Sequence, residues 1–524
     1  MSTPAGPPDV GSDDDKLDRG VLKVAGVVVL GAIMSILDVT VVSVALPTFQ
    51  SEFNATYATV AWTMTAYTLA LAAVIPITGW AADRFGTKRL YLTSLVLFVL
   101  GSVLCSMAWD IGPLIGARIL QGLGGGMLMP LGMTIMTRAA GPDRVGRVMA
   151  VLGIPMLLGP IGGPILGGWL IEAATWHWIF LINLPIGIFA FIAAFRVLPK
   201  DQPQPSETFD FVGMALLSPG LAAFLYGVSS IPEHGTVRAG EVLVPAIIGL
   251  ALVVAFVFHA LRKDHPLIDL HLFLNRHLTI AVVTMSLFIV AFMGAAILFP
   301  SYYLQVRDET TLMAGLLMAP QGLGAMITMP IAGRLTDKTG PGKLVLGGIV
   351  LIAAGMTTFT QLTADTSYPL LLGSLFVMGL GMGMTMMPIM TAALASLTHG
   401  EVARGSTLMN IVQQTGGSIG TAVMSVILTN QILNDQAATA YNGVVQGVVE
   451  ADQVPPEVLT AGRSALAEAF GSTFTVAVVL VVLCLIPALF LPRTKQELRT
   501  DPRTDDGEAH GDGDASQAPP IVLH

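Results

Sequence analysis

The chain has 524 residues, of which 53% are hydrophobic and only 12% are charged, and its mean hydropathy is +0.72. Because soluble domains carry about 25% charged residues, this composition excludes a water-soluble protein and requires apolar side chains to face lipid. The net charge of −9 owes much to acidic residues near both ends, and no basic surface indicates a nucleic-acid partner.

Polar segments begin and end the chain. Residues 1–20 and 493–524 are rich in Pro, Gly, Ser and Asp, which predicts disordered tails. The first apolar run, residues 21–46, is too long for a signal peptide and lacks a small-residue cleavage site, so it predicts a first spanning helix. The two cysteines, Cys105 and Cys484, lie in apolar runs and do not indicate a disulfide framework.

Fourteen apolar segments follow one another along the chain. Since a spanning helix needs about 20 apolar residues, they predict an all-α polytopic membrane protein with fourteen transmembrane helices. The polar stretch 434–469 is expected to be the one sizeable loop. The predicted helices cover residues 21–46, 57–81, 90–108, 113–137, 147–171, 177–196, 211–231, 242–261, 278–300, 312–333, 344–362, 368–396, 405–432 and 470–491.

The positive charges test this count. The assignment places 22 of the 26 Lys and Arg residues on the side of the N-terminus, three on the opposite side, and Arg118 inside a helix. Cytoplasmic loops carry the excess of Lys and Arg in membrane proteins, and one misplaced helix would reverse every later loop. We therefore expect both termini to be cytoplasmic.

An internal repeat relates the two ends of the helical region. Residues 76–86 (PITGWAADRFG) match residues 330–340 (PIAGRLTDKTG) at an offset of 254, and the glycines of 122–126 have counterparts at 379–383. Parallel repeats of this kind predict two pseudo-symmetric halves with a site between them. The predicted domains are a six-helix half at 21–200, two inserted helices at 201–275, and a second six-helix half at 276–492.

Five motifs in order resemble the fourteen-helix drug:proton antiporter family of the major facilitator superfamily. They are residues 37–47 (LDVTVVSVALP), 79–89 (GWAADRFGTKR), 118–122 (RILQG), 159–168 (GPIGGPILGG) and 176–187 (WHWIFLINLPIG). Two positions depart from the family pattern, with Ser43 in place of the usual Asn and His177 in place of the usual Arg.

That resemblance implies the major facilitator fold and a multi-pass antiporter of the bacterial inner membrane. Such a protein exports small hydrophobic drugs or toxic compounds by alternating access. Its energy source is the proton gradient, with no cofactor. The expected partners are these small substrates and membrane lipids, without nucleic acid or an obligatory protein partner.

Asp38 and Arg118 are the charges that lie well inside predicted spans. An intramembrane charge costs roughly 2.5–3.5 kcal/mol on insertion scales, so each is a functional candidate. The alternative for Asp38 is a fixed hydrogen bond that only orients the first helix. The alternative for Arg118 is a permanent structural contact that ties the fourth helix to backbone carbonyls of a neighbouring helix. The resemblance assigns Arg118 a part in proton coupling. The second half carries Phe292 and Leu375 near the equivalent positions, so we expect the first half to handle protons.

A charged turn follows the second helix of each half. The resemblance implies that it forms a clasp that holds the outward-open state and breaks on switching. The alternative is that these charges only set the membrane topology, but this explains poorly why an aspartate recurs in both halves. The candidate gating residues are Gly79, Asp83, Arg84 and Gly86, with Asp337 and Lys338 in the repeat.

The fifth helix carries Gly159, Gly163 and Gly167 on one face, and Pro160 and Pro164 between them. Glycines four apart allow close helix packing, and each proline removes a backbone donor and favours bending. A bendable, closely packed helix suits the interface between the halves. Plain helix packing is the alternative.

Polar residues in apolar helices are the candidates for the substrate cavity. Each could equally join helices to one another, and a methionine could equally face lipid. Flexible thioethers suit a cavity that accepts many shapes. The candidates are Tyr67, Gln121, Met127, Gln321, Asn410, Gln413 and Gln414.

Other functional classes fit less well. The nucleotide-binding motif G-x-x-x-x-G-K-[ST] is absent, since Gly342-Lys343 is followed by leucine. The spans offer no cluster of catalytic groups and no zinc-ligand spacing, so we expect no catalytic residue and no metal site. Glycine-rich repeated halves suit rocking better than the fixed pore of a channel. A dedicated exporter of an endogenous lipid or metabolite and a proton-coupled importer remain open.

Overall fold

The computed structural model describes residues 18–140, 144–201, 208–231, 238–398, 401–445 and 453–494. The predicted disordered tails lie almost wholly outside these ranges. Within them the regular secondary structure is helical. The N-terminal half contains α1 Arg19–Glu52, α2 Tyr57–Phe85, α3 Thr87–Ser106, α4 Ile111–Ala140, α5 Val145–Ala173, α6 Trp178–Leu181 and α7 Asn183–Val197.

Two helices separate this half from the second one. They are α8 Phe211–Ser229 and α9 Gly240–Ala260, followed by a short 3-10 helix at Leu270–Leu274. The C-terminal half contains α10 Arg276–Ala296, α11 Leu298–Gln305, α12 Thr311–Leu317, α13 Ala319–Thr339, α14 Gly342–Thr357, a 3-10 turn at Thr358–Gln361, α15 Tyr368–Gly383, α16 Met386–Ala395, α17 Val402–Leu433, α18 Gln436–Val445, α19 Pro456–Leu483 and α20 Leu485–Ala488.

The described residues include thirteen helical spans that are long and apolar enough to cross a membrane. Helix α5, with 29 residues, is as long as these spans. Each of the fourteen predicted segments overlaps one of these helices, with bounds that differ by a few residues in most cases and by fourteen residues at the start of the last. The protein is therefore a multi-pass membrane protein of the all-α class.

Five of the spans are broken near a proline. A proline lacks the backbone N–H and its ring crowds the carbonyl four residues earlier, which interrupts a helix at that point. In each case the second segment of the span has a proline within its first three residues. These prolines are Pro185 of α7, Pro300 of α11, Pro320 of α13, Pro388 of α16 and Pro487 of α20.

The predicted loop at 434–469 is wrong for most of its length. It contains α18 and the first turns of α19, which starts at Pro456. Asp435 caps α18, since its carboxylate accepts a hydrogen bond from the backbone of Ala438 at 2.9 Å. Proline suits the start of α19, where its missing N–H has no partner in any case. The stretch lacks the apolar length of a span but carries helix-start signals.

The internal repeat extends to the packing of the helices. A side chain on Gly122 of α4 would overlap the backbone of Tyr67, and one on Gly379 of α15 would overlap the backbone of Gln321. Gln321 lies 254 positions after Tyr67, which is the offset of the sequence repeat. The residues that the next two glycine pairs contact differ by the same offset. Gly124 meets Ser94 and Phe98, and its counterpart Gly381 meets Gly348 and Ile352. Gly126 meets Leu71 and Val74, and its counterpart Gly383 meets Ala325 and Thr328. The two halves are pseudo-symmetric.

The inserted helices contact both halves. Tyr226, near the end of α8, stacks on Trp62 of α2 with ring centroids 5.5 Å apart, and Phe209, just before α8, lies 4.3 Å from Trp80. Val228 and its apolar neighbours pack against α17 of the C-terminal half. Helix α8 thus follows α2 along its length and also meets the other half.

Candidate functional site

Glycines in α4 set the position of its polar side chains. A Cβ on Gly122 would lie 2.5 Å from the carbonyl oxygen of Tyr67, and a Cβ on Gly124 would lie 2.5 Å from the backbone nitrogen of Phe98. Real Cβ atoms do not approach so closely, so glycine lets α4 fit tightly between α2 and α3. This tight fit brings Arg118 and Gln121 against the neighbouring helices.

Asp38 and Arg118 form a buried ion pair. The Arg118 guanidinium donates to Oδ2 of Asp38 at 2.5 Å, and neither side chain is exposed. Its Nε also donates to the carbonyl oxygen of Thr63 at 3.0 Å, and the guanidinium carbon lies 4.2 Å from the centre of the Tyr67 ring. A buried cation needs several such partners, because each offsets part of the cost of desolvation.

Three uncharged side chains complete the site. Gln121 accepts a hydrogen bond from Arg118 at 2.7 Å and donates one to Oδ1 of Asp38 at 2.7 Å. Asn183 donates to the same oxygen at 3.2 Å. Both amides also donate to the hydroxyl of Ser102, at 2.6 Å and 3.0 Å. The Asp38 carboxylate therefore has hydrogen-bond donors on both oxygens.

Arg118 has partners in this cluster besides the Asp38 carboxylate. A proton on Asp38 would remove the charge that Arg118 faces, while Arg118 would keep Thr63, Gln121 and the Tyr67 ring as partners. Nη2 of Arg118 is buried and has no hydrogen-bond acceptor among the described residues. The site is thus one carboxylate and one cation, enclosed by α1, α2, α3, α4 and α7.

At the end of the bundle that carries the α2–α3 turn, the two halves are joined by charge. Asp83 of α2 pairs with Arg138 of α4 at 3.3 Å, and its other oxygen lies 3.8 Å from Nε of Arg404 in α17. A Cβ on Gly79 would lie 3.0 Å from the Thr407 hydroxyl. Glycine therefore allows α2 to meet α17 directly beside the ion pairs.

The repeat forms an equivalent contact on the other side of the interface. Asp337 of α13 accepts hydrogen bonds from the backbone of Gly146 at 2.8 Å and of Arg147 at 3.3 Å. It also forms an ion pair with the Arg147 side chain at 3.1 Å. Gly333 packs against the backbone of Gly146, where a Cβ would lie 2.7 Å from its carbonyl oxygen. Both candidate gating aspartates thus join opposite halves.

Comparison with known proteins identifies the family. The sequence pattern of the Major Facilitator Superfamily matches residues 28–421. This chain belongs to that superfamily. Two relatives are the Multidrug resistance protein B homolog of Mycobacterium tuberculosis strain ATCC 25618 / H37Rv, 51% identical over 95% of this chain and 96% of the relative, and the Multidrug export protein EmrB of Haemophilus influenzae, 31% identical over 77% of this chain and 79% of the relative.

Solved structures share the superfamily fold at low sequence identity. The human organic anion transporter MFSD10 aligns with a TM-score of 0.60 and 15% identity, covering 88% of this chain and 99% of that one. The proton:xylose symporter XylE aligns with a TM-score of 0.56 and 13% identity, covering 91% and 97%. This likeness supports the superfamily fold alone.

Helix α5 contacts the C-terminal half, but its three motif glycines pack within the N-terminal half. A side chain on Gly159 would overlap Ile36, one on Gly163 would overlap Thr40, and one on Gly167 would press on Val41. All three contacts are with α1 of the same half. Among the α5 residues that meet the C-terminal half are those of the earlier stretch 146–153. A helix has several faces, and this glycine face packs against the segment of α1 that carries Asp38.

The candidate substrate residues separate into three groups. Tyr67 and Gln121 belong to the buried ion-pair cluster. Met127 is buried in the core, the backbone of Gln321 packs on Gly379, and Asn410 bridges the halves by donating to the sulfur of Met133 at 3.2 Å. Gln413 and Gln414 of α17 are partly exposed.

Two members of the cluster, Asn183 and Ser102, are absent from the sequence-based candidates. Asn183 is the first residue of α7, directly after the break before Pro185. Its position inside the 176–187 motif, in an otherwise apolar run, is a signal that could have identified it. Ser102 has no such signal, because serine in an apolar helix commonly bonds its own backbone.

Proposed function

We propose that this protein is a proton-coupled antiporter that exports hydrophobic drug-like compounds across the inner membrane of a bacterium. The proposal is supported by relatives named as multidrug resistance and multidrug export proteins, one of them 51% identical over nearly the whole chain. It is also supported by the motifs that resemble the drug:proton antiporters.

The observation that carries proton coupling is the buried Asp38–Arg118 pair. Asp38 is an intramembrane carboxylate that pairs with Arg118 and accepts hydrogen bonds from Gln121 and Asn183. In the proposed cycle, a proton from the outside neutralises Asp38 after the drug has left. The loosened pair then favours the inward-facing state, where the proton is lost to the cytoplasm and a drug binds. Reciprocal coupling requires the drug to weaken proton binding.

The contacts between halves support an outward-facing state for this structure. Asp83 and Asp337 both tie one half to the other at the end that carries the α2–α3 turn. The excess of Lys and Arg on that side favours a cytoplasmic location for it, together with both termini. The closed end is then the cytoplasmic gate, and inward opening breaks both sets of contacts.

The transport cycle uses no cofactor in this proposal, because the proton gradient supplies the energy. The partners are the small hydrophobic substrates and the surrounding lipids. Gln413 and Gln414 of α17 are the proposed polar contacts for substrates, since both are partly exposed. The amide nitrogen of Gln413 is buried and has no hydrogen-bond partner among the described residues, so it is a donor that a substrate acceptor would satisfy once the site opens to it.

The test uses purified protein in liposomes with an acidic lumen and ethidium in the outer buffer. Ethidium should accumulate in the lumen, followed by its fluorescence on trapped DNA, and a protonophore should abolish the accumulation. Liposomes without protein are the control. Accumulation that ignores the pH gradient would contradict proton coupling.

A dedicated exporter of an endogenous lipid or metabolite would give a different result. It would transport no ethidium although the protein is folded and monodisperse. Membrane lipids and cell extract supplied in place of ethidium would then identify the cargo by its movement along the same gradient.

A further inference from the structure

The α2–α3 turn is tied to the end of α7 by two polar contacts. The carboxylate of Asp201 accepts hydrogen bonds from the backbone nitrogens of Lys88 at 2.8 Å and Arg89 at 3.0 Å, in the first turn of α3. The Lys88 ammonium donates in return to the carbonyl oxygen of Leu198 at 2.8 Å, at the C-terminus of α7. Each helix end thus receives the charge that its dipole and unpaired backbone groups favour.

Gly86 is required by the same arrangement for two reasons. Its φ of +93° lies in the region that favours glycine. In addition, a Cβ at this position would overlap the carboxyl group of Asp201. Since glycine has no side chain with which to cap α3, the capping group comes from Asp201, 113 residues further along the chain.

The C-terminal half has a counterpart that, in the part of the chain the structure describes, is made by backbone groups. Gly340 has a φ of +82°, and a Cβ there would lie 2.8 Å from the backbone nitrogen of Thr494. The backbone nitrogen of Gly342 donates to the carbonyl oxygen of Pro492 at 2.9 Å. In both halves the turn after the second helix is therefore held by the segment after the last helix, and in the first half the holding group is the Asp201 carboxylate.

The turn also carries the cytoplasmic gate. Asp83 lies one helical turn before Gly86 and reaches Arg138 and Arg404. A displaced start of α3 moves the end of α2, and with it the Asp83 carboxylate. We propose that Asp201 is a positioning residue for the gate, which caps α3 in exchange for the Lys88 cap on α7 and thereby stabilises the closed cytoplasmic end.

The role of Asp201 in transport rests on the proposed transport cycle, but gate closure can be measured without transport. The pair Met133→Cys and Asn410→Cys reports gate closure, because these side chains meet across the two halves at 3.2 Å. The native cysteines Cys105 and Cys484 are buried and do not compete. Disulfide yield in the purified protein therefore measures the closed population without any substrate.

The experiment compares Asp201→Ala, Asp201→Asn and a control in this background. Because loss of a capping side chain shifts an equilibrium constant by about fivefold, Asp201→Ala should lower the ratio of closed to open protein by up to about fivefold and slow cross-linking accordingly. Asp201→Asn keeps one acceptor oxygen and should fall between Asp201→Ala and wild type. Asp435→Ala removes a cap of the same kind from α18, far from the gate, and should leave the rate unchanged.

A second comparison separates positioning from general stability. Gly86→Ala should reduce cross-linking at least as much as Asp201→Ala does, and the double variant should be no worse than Gly86→Ala alone, since both changes remove the same contact. Wild-type cross-linking in folded Asp201→Ala or Asp201→Asn would overturn the proposal, and so would an equal loss in Asp435→Ala. Failed ethidium transport with these cross-linking results would refute the proposed cargo and leave the positioning role intact.

Discussion

The side-chain amide of Asn183 lies 3.2 Å from Oδ1 of Asp38 and donates a hydrogen bond to it. This contact joins α7 to α1 and depends on the break before Pro185, which makes Asn183 the first residue of α7. It links the 176–187 motif physically to the proposed proton carrier. The predictions below follow from this cluster and from the packing that holds it.

Asn183→Leu should lower the rate of proton-driven transport at least tenfold. A hydrogen bond to a charged group contributes about 2 kcal/mol, and its loss leaves Asp38 less well held. Initial rates of ethidium uptake in liposomes measure the effect. Asn434→Leu, at the exposed end of α17, is the matched control and should transport at the wild-type rate. Equal rates for the two variants would show that Asn183 has no part in the cycle.

Neutralising one partner of the ion pair should cost more stability than neutralising both. Asp38→Asn leaves the Arg118 charge buried without its carboxylate, which costs about 3–5 kcal/mol in comparable pairs. The double variant Asp38→Asn/Arg118→Gln should recover most of the loss and remain inactive in proton-driven transport. Thermal unfolding in detergent measures the difference. A double variant less stable than Asp38→Asn would contradict this account.

Gly163→Ala should destabilise the protein and reduce transport, whereas Gly168→Ala should do neither. A Cβ on Gly163 would overlap Thr40, next to Asp38, while a Cβ on Gly168 would meet no atom within 4 Å. Overpacking of this kind costs about 1–3 kcal/mol. Unfolding temperature and uptake rate, measured for both variants, provide the comparison. Similar unfolding temperatures would mean that α1 moves aside without cost.

Asp210 should stabilise the inserted helices except at low pH. Burial disfavours its ionised form, but hydrogen bonds from Gly213, His259 and Leu267 outweigh burial and hold the pKa of Asp210 below its ordinary value. A lowered pKa gives stability that is present above the unfolded value of about 3.9 and is lost as the pH falls through the folded value. Asp210→Asn should therefore unfold at a lower temperature than wild type at pH 7. The difference should shrink below pH 4, and a constant difference would refute the role.

Sequence patterns predicted the helices well because each span is a local property. Apolar length located the thirteen apolar spans and is consistent with α5 as a fourteenth, and the prolines at two of the breaks, Pro185 and Pro388, are visible in the sequence. The stretch 434–469 was misread because it is too polar to span, although Asp435 and Pro456 are ordinary signals for helix starts.

The site was predicted only in part, because its contacts are tertiary. Intramembrane charge identified Asp38 and Arg118 one by one. The sequence does not predict that Gln121 hydrogen-bonds to both Asp38 and Arg118, since a glutamine at this position could equally face a cavity. Likewise, the spacing of Gly163 and Gly167 predicts a face for close packing but not its partner, which is α1. The cap by Asp201 joins positions 113 residues apart and has no local pattern.

Proton counterflow in liposomes tests the central claim, that Asp38 carries the exchanged proton. With pyranine in an acidic lumen, adding ethidium outside should raise the lumenal pH for wild type as protons leave. Folded Asp38→Asn and the charge-balanced double variant should show no ethidium-dependent change. Wild-type counterflow in either folded variant would contradict the claim and move the proton site away from Asp38.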